Sequence, residues 1–299
     1  MTPTATHLLI IDAQNDFCDL PAAWCPNDPA RPGPADVARL SPALPVPGSH
    51  ADMQRLADFM RRCMPAIDAI TVTLDSHLRV GIERPAFWRR RDGSSVAPFT
   101  PISLADFSAG EFAPRLAENV AIVRAYLTSL EKRGRYTLMV WPPHCVIGTW
   151  GHALHADVDA ALAEWETARH EPVARVLKGM NPLTEHYSAI AAEVPRADEP
   201  DTLPNAALLA RLAHAQRIVV AGEAGSHCVK STVEDIADYL GPADVRRLVL
   251  LTDCMSPVAG FETHHAAFLQ DMQDRGAHLA TAETLIRTLN AGADTAARQ

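Results

Sequence analysis

Along the chain, short apolar runs bounded by turn residues alternate with stretches whose apolar residues recur every three or four positions. The runs are His7–Asp12 (HLLIID), Ala69–Asp75 (AITVTLD), Val173–Lys178 (VARVLK), Arg217–Gly222 (RIVVAG), Arg247–Thr252 (RLVLLT) and Ala277–Ala280 (AHLA). They are rich in Val, Ile and Leu and do not alternate with polar residues, which is how a strand buried on both faces reads. Between them, Met53, Leu56, Phe59 and Met60, then Val229, Val233, Ile236 and Leu240, then Ala267, Leu269 and Met272 carry helical spacing. Strands alternating with helices predict βαβ units and an α/β fold, a mostly parallel six-stranded sheet with helices on both faces, in one domain spanning 1–299. Tyr136–Trp141 reads as a further short strand.

Two stretches break the repeat and read as insertions. Residues 19–48 hold many of the 23 prolines without periodicity, which predicts a long surface loop. Residues 89–135 open on Arg89, Arg90 and Arg91, pass through a Pro-containing loop and end in a helix expected over about Pro114–Lys132. That helix could cover the site or pack on a second copy, so a homo-oligomer is compatible with the sequence. The C-terminal segment AGADTAARQ is expected to fray.

Composition narrows the class. With 27 Lys+Arg against 36 Asp+Glu the formal charge is −9, and there is no basic stripe, so nucleic acid is excluded as an expected partner. No run approaches the length of a membrane-spanning helix. Met1–His7 carries no basic n-region or small-residue cleavage site, and six dilute cysteines do not make a disulfide scaffold; both point to a cytoplasmic protein.

In an open parallel sheet, ligands bind beyond the carboxyl ends of the strands. Asp12, Asp75 with His77, Lys178 and Cys228 all fall there. Cys228 follows a Gly-rich turn and opens a helix, where the macrodipole would lower the thiol pKa and free N–H groups could hold an oxyanion. A buried packing Cys is the bland alternative, and it is the reading given to Cys254. Asp12 would take the thiol proton, with Asp16 competing for that role. Lys178 would hold Asp12 in place; alone it reads equally as a solvated Lys. Asp75 and His77, at i and i+2, lie on one side of an extended chain, and His144 would complete a three-ligand metal site. Glu83 could add a carboxylate but reads as a surface residue, as do His152 and His155 at i, i+3 on a helix.

These residues sit in motifs that resemble the nicotinamidase branch of the isochorismatase-like cysteine hydrolases. The motifs are LLIIDAQNDFC from Leu8, Asp75-Ser-His77, WPPHCVIGT from Trp141, Lys178-Gly and GEAGSHCVK from Gly222, in that order over nearly the whole chain. The resemblance implies Asp12, Lys178 and Cys228 as a catalytic triad, and Asp75, His77 and His144 as ligands of zinc, iron or manganese. It implies Phe17 and Trp141 as walls for a pyridine ring, and a cis peptide at Glu223–Ala224 that turns the Ala224 and Cys228 amides into an oxyanion hole. The implied activity is metal-dependent deamidation of nicotinamide, or a close small aromatic amide, to the acid and ammonia. The same chemistry on a ureido or maleamate-like amide, or an idle binding protein of this fold, is the alternative. The chain departs from the family in its length, in Glu223 where an aliphatic residue is usual, and in Gly225-Ser226 where Thr-Asp or a similar pair is usual.

Overall fold

The computed structural model describes residues 6–30 and 39–296, with side chains described to residue 291. In chain order it contains β1 (Thr6–Ile11), α1 (Ser49–Cys63), β2 (Ala69–Asp75), β3 (Trp88–Arg90), β4 (Thr100–Ile102), α2 (Leu104–Ser108), β5 (Phe112–Pro114) and α3 (Val120–Arg133). There follow β6 (Leu138–Val140), α4 (Ala156–Arg169), β7 (Ala174–Lys178), α5 (Ala206–Ala213), β8 (Arg217–Gly222), α6 (Cys228–Leu240), β9 (Leu248–Leu251), α7 (Glu262–Asp274), β10 (His278–Ala280) and α8 (Ala282–Ala296).

Six strands form one all-parallel sheet in the order β10-β9-β8-β1-β2-β7. These are the six apolar runs of the sequence. Side chains alternate across a strand, so a run apolar at every position needs cover on both sides. Leu8 and Ile10 of β1 pack with Val219 and Ala221 of β8 against Met53, Leu56 and Met60 of α1, Trp165 of α4 and Leu285 of α8. Leu9 and Ile11 pack with Ile218 and Val220 against Leu208 of α5, Val229 and Val233 of α6 and Phe268 of α7. β1 and β8 are the central strands, and every residue of β1 is buried.

The insertion 89–135 is more ordered than its sequence predicts. β3 pairs antiparallel with β5, and β4 with β6, the latter inside the expected Tyr136–Trp141 strand. A separate apolar cluster of Trp88, Ile102, Phe107, Phe112, Val123, Leu127 and Val140 supports them. The expected helix starts later than Pro114, at Val120, because Pro114 is spent in β5; it ends at Gly134, whose φ of 68° closes the last turn.

The described residues of the loop 19–48 are irregular, as expected, but tied down. The Asp19 carboxylate accepts from the Gly48 and His50 amides at 2.8 Å each, and Cys18 bridges to Val46. The part of this loop at 31–38 and the N-terminal residues 1–5 lie outside the described residues. The C-terminal segment expected to fray lies partly outside the described residues: α8 runs to Ala296, and 297–299 are not described. Among the described residues no helix is long and apolar enough to cross a membrane, and all six cysteines are unpaired and buried.

Candidate active site

Parallel pairing brings the reactive residues together. Ile11 is the register partner of Gly222 and Asp75 that of Lys178, so the ends of β8, β1, β2 and β7 stand side by side. Asp12 follows β1 with φ 45°, a left-handed turn that Asp tolerates better than most residues. A Cβ on Gly222, at φ 123°, would lie 1.9 Å from the Ile11 carbonyl oxygen, so this close crossing requires glycine.

Lys178 is the hub. Its Nζ lies 2.8 Å from Asp12 Oδ2, 3.0 Å from Asp75 Oδ1 and 3.5 Å from Cys228 Sγ, and it donates to the His186 carbonyl at 3.2 Å. Lys178 is 2% exposed and Asp12 is fully buried, so the solvated-Lys reading is set aside. Burial opposes the ammonium charge, but Asp12 and Asp75 hold its pKa well above the usual lysine value. Burial likewise works against Asp75, yet His77 and Lys178 keep it ionised well below the usual range. Burial raises the Asp12 pKa, and Lys178 restrains the rise. Thr73 donates its hydroxyl to Asp12 Oδ1 at 2.6 Å and fixes the carboxylate.

Cys228 is the first residue of α6, as expected, but its thiol is not lowered. Burial pushes it well above the ordinary cysteine value, and Lys178 offsets only part of that. Desolvation outweighs the helix terminus here. The Cys228 sulfur and carboxylate oxygens of Asp12 and Asp75 lie within 4.8 Å of one another. The resting group is therefore a neutral thiol beside a carboxylate of raised basicity.

Glu223–Ala224 is a cis peptide, at the position expected. Among the described residues the Gly225 amide donates to Ser256 O and the His227 amide to Ala224 O, whereas the Ala224 and Cys228 amides make no hydrogen bond. With the Ser226 amide they are the free donors at the turn. Glu223 is fully buried, accepts from the Ser256 amide at 3.2 Å and faces Asp52; burial and Asp52 push its pKa well up. It therefore enters the turn as a neutral acid and does not oppose an oxyanion.

Asp75, His77 and His144 place ligand atoms within 4.8 Å of one another, all buried. His77 Nε2 is 2.7 Å and His144 Nε2 is 3.4 Å from Asp75 Oδ2. Burial and the Arg84 guanidinium lower the His144 pKa to about 3, so it is a neutral imidazole; burial pulls His77 down but Asp75 lifts it to about 9. His144 Nδ1 lies 2.8 Å from the Pro142 carbonyl and 3.0 Å from an Arg84 guanidinium nitrogen, and Nε2 faces Asp75. One carboxylate and two imidazoles converging in a buried pocket fit a divalent transition metal.

Glu83 is a correction to the surface reading. It is 3% exposed, and its Oε1 is 3.3 Å from Nδ1 of His77, one of the candidate ligands, and 3.3 Å from Arg84 Nε. His155 is also buried, not solvated: it caps α4 and its Nε2 meets His50 Nδ1 at 2.9 Å. His152, partly buried, lies 2.9 Å from the Ser76 hydroxyl. Asp16 does not compete as a base. Its oxygens accept from the Ala43 amide at 3.0 Å and the Cys145 amide at 2.7 Å, tying the loop 19–48 to the WPPHC segment.

Phe17 and Trp141 line one small cavity with Asp75, His77, His144 and Cys228, and Leu44, Glu185, Tyr187, Ala224, His227 and Val258 complete its wall. Its volume is about 20 Å³, room for about one water molecule. Sequence reading missed Gln14 and Glu185. The Gln14 amide brackets Asp75, donating to its carbonyl at 2.8 Å and accepting from its amide at 2.7 Å. Glu185, raised by burial and Glu83 to about 7, has no motif around it; only proximity in space finds it.

No protein-family model matches the chain, and no curated protein matches it. Solved structures do. The nicotinamidase/pyrazinamidase of Acinetobacter baumanii is 17% identical, with a TM-score of 0.58 over 95% of this chain and 100% of that one. The yeast nicotinamidase bound to the inhibitor nicotinaldehyde is 17% identical, with a TM-score of 0.58 over 92% of this chain and 99% of that one. The pyrazinamidase of Pyrococcus horikoshii in complex with zinc is 18% identical, with a TM-score of 0.51 over 92% and 98%. At these identities the likeness is one of fold, and the chain has the fold of the nicotinamidases and pyrazinamidases that its motifs resemble.

Proposed function

We propose that this protein is a metal-assisted cysteine amidohydrolase that converts nicotinamide, or a close aromatic carboxamide, to the acid and ammonia. The observation that carries the proposal is the position of Lys178 Nζ, within reach of Asp12, Asp75 and Cys228 at once. One buried cation thereby joins a base and a nucleophile to the Asp75, His77 and His144 group. The fold shared with nicotinamidases supports the same reading.

Asp12 takes the Cys228 proton as the sulfur attacks the carboxamide carbon. The Ala224 and Cys228 amides hold the resulting oxyanion. Lys178 balances the charge as the thiol ionises. The tetrahedral adduct collapses, the C–N bond breaks, and Asp12 returns the proton to the departing ammonia. A water molecule, deprotonated by Asp12, then attacks the thioester carbon and releases the acid, and the thiol recovers its proton. A divalent metal bound by Asp75, His77 and His144 would supply a Lewis-acid site for a ring nitrogen; Phe17 and Trp141 would flank the ring.

The test is ammonia release from nicotinamide by metal-analysed protein, wild type beside Cys228→Ala. Release that depends on Cys228, with about one metal per chain, supports the proposal. Cys228→Ala protein that retains release above background refutes the role of Cys228. Metal-free protein that releases ammonia from a ureido or maleamate-like amide instead would favour that alternative, for which the narrow cavity and the Gly225-Ser226 turn speak.

A further inference from the structure

The small cavity at Cys228 shares three walls, Trp141, Tyr187 and His227, with a second, larger cavity of about 400 Å³. Tyr136, Phe261 and Arg135 add to the wall of this outer chamber. Its floor is the ring of His227, the residue immediately before Cys228. Four aromatic rings surround that imidazole: Phe261 at 4.6 Å, Trp141 at 5.3 Å, Tyr187 at 5.4 Å and Tyr136, stacked within 20°, at 5.9 Å. Burial and nearby cations hold the His227 pKa at about 3, so the partition is an uncharged planar ring. Its lining also includes Glu131 and His264, apart from Trp141, Tyr187 and His227, the three walls it shares with the inner cavity. Arg135 is paired with Asp235 at 2.9 Å and Glu234 at 3.3 Å.

Three of these walls cannot yield equally. The Trp141 indole donates to the Tyr187 hydroxyl at 2.9 Å, which pins both rings. The His227 side chain has one hydrogen bond, to the Ser226 hydroxyl at 2.8 Å from Nδ1, and is otherwise held by ring contacts. Because His227 lines both cavities, a substituent that reaches past it from a ring bound at Cys228 lies in the outer chamber. In the proposed reaction the fully buried Asp12 returns its proton to the leaving amine, so the extra bulk is assigned to the acyl part.

We infer that the substrate is a primary carboxamide whose ring carries a second, uncharged planar group, and that the aromatic chamber beyond His227 is the subsite for that group. This rests on the amidase reading and narrows its substrate class. A single pyridine ring would leave the chamber to solvent, whereas a second ring stacked on Tyr136 or His227 buries apolar area against it.

The experiment measures ammonia release by the full chain from nicotinamide and from phenyl-substituted nicotinamides, one isomer for each free ring carbon. It is repeated with Tyr136→Ala, Phe261→Ala and Tyr136→Phe, each checked for folding by circular dichroism. The expected result is at least one phenyl isomer with kcat/KM about tenfold or more above nicotinamide. That ratio falls toward one in Tyr136→Ala or Phe261→Ala and is kept in Tyr136→Phe, which retains the ring. Turnover of nicotinamide with no phenyl isomer above it, or a ratio indifferent to both alanine variants, overturns the subsite and leaves the amidase reading standing. No ammonia from any amide in the series defeats the amidase reading, and the subsite falls with it.

Discussion

Asp75 and Lys178 are register partners on neighbouring parallel strands, and their side chains meet at 3.0 Å where the strands end. The same Lys178 ammonium contacts Asp12 on the next strand but one. Strand pairing, set by the apolar residues behind the site, thus fixes the spacing of two carboxylates and an amine that contain no apolar information themselves.

Replacing Lys178 with Met leaves Asp12 and Asp75 as neighbouring carboxyls without a buried cation. Removing one partner of a buried ionic cluster costs about 3–5 kcal/mol, so thermal and denaturant unfolding should show a loss of that order. Activity should fall with it, and Lys178→Arg should restore neither, because a planar guanidinium does not fit a pocket built around a compact ammonium. Wild-type stability in Lys178→Met would contradict the hub role.

Glu83→Gln should weaken metal binding by about 10–100-fold, read by competition with a chelator. His77 Nδ1 would lose the carboxylate 3.3 Å away, while the three candidate ligands stay in place. Unchanged metal affinity would make Glu83 a bystander.

The stability of the chain should carry the signature of Glu193, a buried carboxyl in the turn after β7. Burial raises its pKa from 4.5 to about 7, and neither carboxylate oxygen has a hydrogen-bond partner. A folded pKa above the unfolded one means the folded state holds the extra proton between the two values. Its contribution is therefore full below about 4.5 and is lost as pH rises to about 7. The difference in unfolding free energy between wild type and Glu193→Gln should shift by on the order of 2–3 kcal/mol across that window, against the wild type at the higher pH. A flat difference would contradict the assignment.

Gly222→Ala forces a Cβ to within 1.9 Å of the Ile11 carbonyl oxygen at φ 123°. The clash is with backbone on the central strand pair, where nothing can move aside. A loss of at least about 3 kcal/mol, or a drop in Tm of roughly 6–12 °C, is expected by differential scanning calorimetry.

The legibility of this chain follows its burial. The inner sheet strands were readable because two covered faces demand apolar residues at every position, as in Leu8–Ile11, whereas the edge strands β7 and β10 are partly exposed and were readable from their Val and Leu content and place in the repeat. The strands Trp88–Arg90, Thr100–Ile102 and Phe112–Pro114 were not, since three residues are too few to show a period and Pro101 and Pro114 look like breakers. Asp12, Asp75, Lys178 and Cys228 were readable because each terminates a strand or opens a helix. Glu83, Glu185 and Gln14 were not, because their work depends on what lies across space from them. The thiol of Cys228 was misjudged for a related reason: a helix terminus is visible in sequence, whereas the desolvation that outweighs it is a property of the packed site.

Acid-quenched protein turning over nicotinamide, digested and analysed by mass spectrometry, tests the central claim most directly. An acyl adduct on the Cys228 peptide, absent when nicotinamide is omitted and absent in Cys228→Ala, is the expected result. Ammonia released while Cys228 stays unmodified, or while Cys228→Ala remains active, would contradict the thioester route.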